Sequence, residues 1–174
     1  TNDVFIFKAI ENLTRAKSVG GRDNDLKVKC LNNAVILFEE AYESLTLENI
    51  ENSVNIMVDL EYYTGAVRMC LSLAHRLSNK AANKSATGLT ATASSTPVAA
   101  ESNLSDSNTL TLQLYKMIFS ILTKIDLKAI QITGTNDQLL INDFIEIRDS
   151  TYETCFSSKD KDFHYEFYQW FINQ

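Results

Sequence analysis

Between Asp25 and Leu45, the apolar side chains Leu31, Ala34, Val35, Phe38, Ala41, Tyr42 and Leu45 recur at three- and four-residue intervals, and Glu39, Glu40 and Glu43 fall between them. A 3.6-residue period gathers the first set on one face, so the spacing predicts an amphipathic helix. Thr46 then offers a hydroxyl to the next free amides and Glu48 suits the positive end of a helix dipole. Ile50, Val54, Met57 and Val58 form a second stripe. After Tyr62-Tyr63 comes Thr64-Gly65, a break, and Val67, Cys70, Leu73, Ala74 and Leu77 carry a third stripe to Ser78 and Asn79. Connections this short leave room only for antiparallel neighbours. An earlier helix is expected from Asp3 to Lys17, with Phe5, Ile6, Ala9, Ile10 and Leu13 apolar ahead of Gly20-Gly21.

From Lys80 to Asn108 the chain turns to Ala, Ser, Thr and Asn with a single Pro and no aromatic residue. Too little large apolar surface is present there to offset the entropy of ordering, so the segment reads as a disordered low-complexity insertion or linker. It divides the chain into N-terminal helices over 1–79 and C-terminal helices over 109–174. In the second group Leu114, Tyr115, Ile118, Phe119, Leu122 and Ile125 mark a fifth helix, which Gly134 ends. Leu140, Ile141, Phe144, Ile145, Tyr152 and Phe156 mark a sixth, and Asp160 is placed to cap a seventh. That last helix carries Phe163, Tyr165, Phe167, Tyr168, Trp170 and Phe171, apolar on almost every side, and so requires cover on more than one face. A chain closing on Trp170-Phe171-Ile172 reads as a segment of a longer protein whose further helices supply that cover, the alternative being a terminal helix docked back on the core of a free-standing domain.

One Pro and five Gly cannot punctuate the many tight turns of a β-sandwich or barrel. The fold class is therefore all-α, an antiparallel helical stack and fragment of an α-solenoid. With 16 basic against 22 acidic residues the net charge is -6, and the Lys and Arg residues are scattered, so the footprint of a nucleic-acid binder is missing. No apolar run approaches the eighteen or so residues that cross a bilayer. Cys30, Cys70 and Cys155 are odd in number and widely spaced, the usage of reduced buried thiols in cytosol or nucleus.

Residues that could carry chemistry do not assemble into a mechanism. Gly20-Gly21 lacks the Lys-Ser/Thr and the third glycine of a phosphate-cradling loop. His75 and His164 each lack a second His or Cys at ligand spacing, so neither metal nor cofactor is expected. Glu39-Glu40, Asp143 with Glu146, and Glu146 with Asp149 lie on polar helix faces, where a general acid/base pair would need burial. Catalytic, cofactor and metal residues are accordingly none, and no small-molecule substrate or direct nucleic-acid contact is expected. Tyr62, Tyr63, Phe163, Tyr168 and Trp170 read as core, and Gly65 as a point where two helices approach closely.

The run Cys30-Leu31-Asn32-Asn33-Ala34, then Leu37-Phe38, then Ser44-Leu45-Thr46-Leu47-Glu48-Asn49-Ile50, then Tyr62-Tyr63-Thr64-Gly65-Ala66-Val67 and Cys70-Leu71, resembles the C-terminal helical region of the large inner-ring scaffold nucleoporins. Both the vertebrate member and the fungal paralogue pair read this way. The closing Asp162-Phe163-His164-Tyr165-Glu166-Phe167-Tyr168-Gln169-Trp170-Phe171 is similar to the family's Phe-His-x-x-hydrophobic-Tyr-x-Trp-hydrophobic segment. The resemblance implies an all-α solenoid segment of a nuclear pore complex component at the nuclear envelope. Its implied role is structural, in pore assembly and nucleocytoplasmic transport, with other scaffold and linker nucleoporins as partners received in grooves between helices. Nuclear-membrane association is left by the resemblance to the full protein. The matched motifs are fold-forming positions and assign no partner-binding residues. On the residues alone, a helical adaptor or regulatory domain outside the pore stays open, as does the helical accessory domain of an enzyme.

Overall fold

The computed structural model describes residues 1–19, 21, 23–87, 100–135 and 137–174, without the side chains of 84–87 and 100–106. Seven α-helices run in order among these residues: α1 Asn2–Val19, α2 Asn24–Glu40, α3 Leu47–Asp59, α4 Tyr63–Thr87, α5 Ala100–Thr133, α6 Gln138–Phe156 and α7 Lys161–Ile172. The all-α stack follows the hydrophobic stripes. Ala9 and Leu13 of α1, Leu31, Val35 and Phe38 of α2, and Ile50 and Met57 of α3 are buried where the spacing places them. Asn2 Nδ2 donates to Ser44 Oγ at 2.9 Å, which sets the start of α1 beside the end of α2. α4 and α5 form the centre, with Val67, Cys70 and Leu73 facing Leu114, Ile118 and Ile125 in one core that includes residues of all seven helices.

Capping chemistry starts α3 and α7 where the sequence indicates. Thr46 Oγ1 accepts from the Asn49 amide at 3.2 Å and Asn49 Oδ1 accepts in return from the Thr46 amide at 3.3 Å. Asp160 Oδ1 accepts from the Asp162 and Phe163 amides at 3.1 Å each.

Other boundaries are corrected. α2 stops at Glu40, and Tyr42–Ser44 form a 3-10 turn, although the apolar stripe continues through Tyr42 to Leu45. The reason is that Leu45 stays buried in extended backbone, so the core face is kept after the helix ends. The break before α4 falls at Leu60–Tyr62 and leaves Thr64-Gly65 in the first helical turn. There the Glu61 amide donates to the Val58 carbonyl at 3.0 Å and the Tyr62 amide to the Met57 carbonyl at 2.8 Å, the paired bonds of a Schellman ending. Glu61 occupies its left-handed position at φ 61°, where glycine is usual.

The expected disorder of Lys80 to Asn108 is corrected at both flanks, since α4 continues to Thr87 and α5 begins at Ala100. Alanine at 81, 82 and 86 favours the helix by its intrinsic propensity. The remainder of that segment, 88–99, lies outside the described residues, as do Gly20 and Asn136.

Candidate docking surfaces

Polar side chains join the helices at a few points, and each joint is built from groups distant in sequence. Tyr115, buried on α5, donates its hydroxyl to Asp160 Oδ2 at 2.6 Å, so one carboxylate both caps α7 and ties it to the central helix. Burial, reinforced by the Asp160 charge, raises the Tyr115 hydroxyl above its ordinary value. Tyr115→Phe is expected to cost about 1 kcal/mol by removing that bond while keeping the ring, read as a fall in the midpoint of urea unfolding.

Asp126 holds α6 on α5 with both oxygens: Oδ1 accepts from Arg148 Nε at 2.8 Å and Oδ2 from the Tyr152 hydroxyl at 2.6 Å. The guanidinium also lies 5.3 Å from the Tyr152 ring centroid. On α4, Thr64 Oγ1 stands 2.9 Å from Thr151 Oγ1 of α6. Thr151 already donates its proton to the Ile147 carbonyl at 2.7 Å, so Thr64 is the donor. Near the α3–α4 corner, Tyr63 meets Phe144 edge-on at 6.1 Å, while Lys128 pairs with Glu61 and lies 5.2 Å from the Phe144 ring centroid.

The candidate reactive residues are dispersed. His75 Nε2 is bonded to Asn79 Nδ2 at 3.0 Å on α4. His164 sits on α7 beside the Phe163 and Tyr168 rings, its Nε2 buried without a hydrogen-bond partner among the described residues. Asp143, Glu146 and Asp149 are exposed on α6, so the structure supplies none of the burial that acid/base work needs. No three His, Cys, Asp or Glu residues gather in a metal-binding group among the described residues. No described helix is long and apolar enough to cross a membrane.

Cys30, Cys70 and Cys155 are buried free thiols. Burial pushes the Cys70 and Cys155 thiols up to about 12 from 9.0. Because the folded values exceed the unfolded ones, this contribution to stability is intact below the unfolded value and is lost as the pH rises towards 12. Stability is therefore expected to fall between pH 9 and 11, by up to about 1.4 kcal/mol per pH unit for each thiol. Urea titrations across that range, repeated on Cys70→Ala and Cys155→Ala, check that each replacement flattens the slope.

Large apolar side chains are exposed on several helices, among them Ile130 of α5 and Leu139 of α6, and they gather on α1 and α7. On α1, Val4, Phe5, Phe7 and Ile10 are exposed, Phe7 at 70%. On α7, only Phe163 and Phe167 are buried, through a ring cluster in which Phe119 stacks on Trp170 at 5.3 Å and Phe156 meets Phe167 edge-on at 5.1 Å. Tyr165 at 65%, Tyr168 at 50% and Ile172 at 77% face away from the core. Tyr168, read from the sequence as core, thus lies on the outer face, because the α5 and α6 rings cover only one side of α7. At Gly65 a Cβ would fall against the ring of Tyr62, so a neighbouring side chain occupies the space that a methyl would take. The exposed α1 stripe was missed by sequence reasoning, which counts apolar residues along a face without knowing which helix covers it.

Among the described residues the chain is thus a helical stack that leaves apolar side chains of α1 and α7 exposed. The model of the non-repetitive/WGA-negative nucleoporin C-terminal region matches residues 1–174. The chain belongs to this family. It is 28% identical to nucleoporin NUP170 of Saccharomyces cerevisiae over 99% of its own length and 11% of that protein. Nucleoporin NUP170 of Chaetomium thermophilum is 25% identical over 99% of the chain and 12% of the relative. The chain thus spans 11% to 12% of the length of these relatives. Among solved structures, the crystal structure of a mutant Chaetomium thermophilum Nup170 CTD superposes with a TM-score of 0.74 at 26% identity, covering 99% of this chain and 31% of that one. The complex of the same fungus's Nup170 CTD with Nup145N superposes at 0.62 and 26% identity, covering 98% and 30%. The helical stack is a segment of an α-solenoid, and membership makes it part of a nucleoporin, a component of the nuclear pore complex at the nuclear envelope.

Proposed function

We propose that this nucleoporin segment works without catalysis, as a piece of inner-ring scaffold whose exposed apolar faces on α1 and α7 are contact surfaces. The observation that carries this is the outer face of α7, where Tyr165, Tyr168 and Ile172 are half or more exposed at helical spacing in a nucleoporin chain. Such a face is buried at rest by protein, since water contact with that much apolar area is unfavourable. The partners in this reading are other scaffold and linker nucleoporins, as the Nup170 CTD relative is in complex with Nup145N. Pore assembly and transport of protein and mRNA depend on it through those contacts, and the full protein carries any membrane association. The sequence between α4 and α5 is, in the same reading, an insertion into one solenoid segment, because a single core runs through both halves.

A fluorescent tag on the full protein at its own locus tests the placement. Punctate signal along the nuclear rim, coincident with a core pore marker, is the expected result; an even nucleoplasmic or cytosolic signal would favour an adaptor outside the pore.

A further inference from the structure

A groove of about 230 Å³ separates α3 from α5. Its floor is apolar, with Val54 and Ile121 buried and Met117 partly so. Its rims are polar: Glu51 and Asn55 from α3, Ser120 and Lys124 from α5. α3 turns back into α4 at the Leu60–Tyr62 corner, and α4 runs antiparallel to α5, since Glu61 pairs with Lys128 while Ser107 Oγ lies 3.5 Å from the Leu77 carbonyl. α3 and α5 are therefore parallel. Glu51 consequently stands near the Met117 end of the groove and Lys124 at the opposite end, roughly 10 Å along α5 by helical rise.

Neither Glu51 nor Lys124 has an ion-pair partner among the described residues, although the next lysine along the same face, Lys128, is engaged by Glu61. The groove thus has an unpaired anion at one end, an unpaired cation at the other and an apolar floor between. Its volume is below the roughly 300–1,000 Å³ of cofactor and small-molecule pockets, and suits one large side chain. A span of about 10 Å equals about three residues of extended chain.

We infer that this groove docks an extended peptide that seats one large apolar side chain over Val54 and Ile121, between a basic residue set against Glu51 and an acidic residue set against Lys124. The apolar anchor supplies most of the affinity and the end charges select the sequence. The inference deepens the contact-surface reading only in taking a protein segment as occupant, and it names a surface apart from the exposed faces of α1 and α7.

The test is fluorescence anisotropy with the full protein and three labelled short peptides. Each has phenylalanine flanked at alternate positions: by arginine and glutamate, by two arginines, or by two glutamates. The mixed peptide is expected to bind about tenfold tighter than either like-charged one. Glu51→Lys should shift the preference to the two-glutamate peptide and Lys124→Glu to the two-arginine peptide. Ser120→Trp, an exposed rim position, should abolish binding of all three by filling the groove. A ranking that the charge reversals leave unchanged, or no saturable binding by any peptide, overturns the inference; either leaves nucleoporin membership and rim placement intact.

Discussion

Phe163→Ala is expected to cost about 3–5 kcal/mol and to release α7 from the stack. The ring of Phe163 is fully buried and touches three elements of the aromatic cluster, with centroids 5.3 Å from Tyr115, 6.2 Å from Phe119 and 5.5 Å from Phe167. Truncation removes the transfer free energy of the ring and leaves a cavity that Tyr115 cannot fill, because its hydroxyl is held on Asp160. The effect has a local reporter. Trp170 is the single tryptophan and stacks on Phe119 with planes 7° apart, so its environment depends on α7 staying docked. Tryptophan emission should shift to the red, with an earlier urea midpoint, while far-ultraviolet helicity changes little. An unchanged emission maximum would show that the aromatic cluster does not hold α7.

Gly65→Ala is the second large effect, expected to destabilise by up to about 3 kcal/mol despite the better helix propensity of alanine. The added methyl would occupy the position of the Tyr62 ring. That ring is fixed at its far end as well, since its hydroxyl donates to Asn32 and Arg68 Nη2 bonds the same Asn32 oxygen at 3.1 Å. The ring cannot swing aside without breaking these bonds, so the strain passes into the Schellman corner that sets α4 against α3. The double substitution Tyr62→Ala with Gly65→Ala should then be more stable than the sum of the single changes predicts, by about 1 kcal/mol or more. Additive losses would mean that the ring and the glycine do not share this space.

These sites also mark where the sequence was legible. Thr46 and Asp160 could be read as caps because capping is decided by groups within three residues of each other. The stripes of α2, α3 and α5 could be read because burial of one helical face repeats locally. The corner at Leu60–Tyr62 could not, since a glutamate at φ 61° carries no turn signal and is held by its long-range partner Lys128. The low-complexity segment misled for the opposite reason: its alanines favour helix while its lack of large apolar groups argues against order, and α4 runs into it regardless. Exposure on α7 depended on which side α5 and α6 would cover, and the Glu51–Lys124 groove on packing between helices about seventy residues apart. Neither is a property of local spacing. The family resemblance, carried by Tyr62-Tyr63-Thr64-Gly65 and the closing aromatic run, identified what periodicity alone could not.

The central claim, that the open face of α7 is a scaffold contact, is tested most directly by affinity capture. Tagged full protein would be purified from cell lysate beside a copy carrying Tyr168→Asp and Ile172→Asp, two exposed positions whose change leaves the core intact, with mass spectrometry of what co-purifies. Recovery of scaffold or linker nucleoporins with the unaltered protein, and loss of at least one of them from the altered copy, is the predicted result. Reproducible partners unrelated to the pore, or an identical set of nucleoporins from both copies, would contradict it.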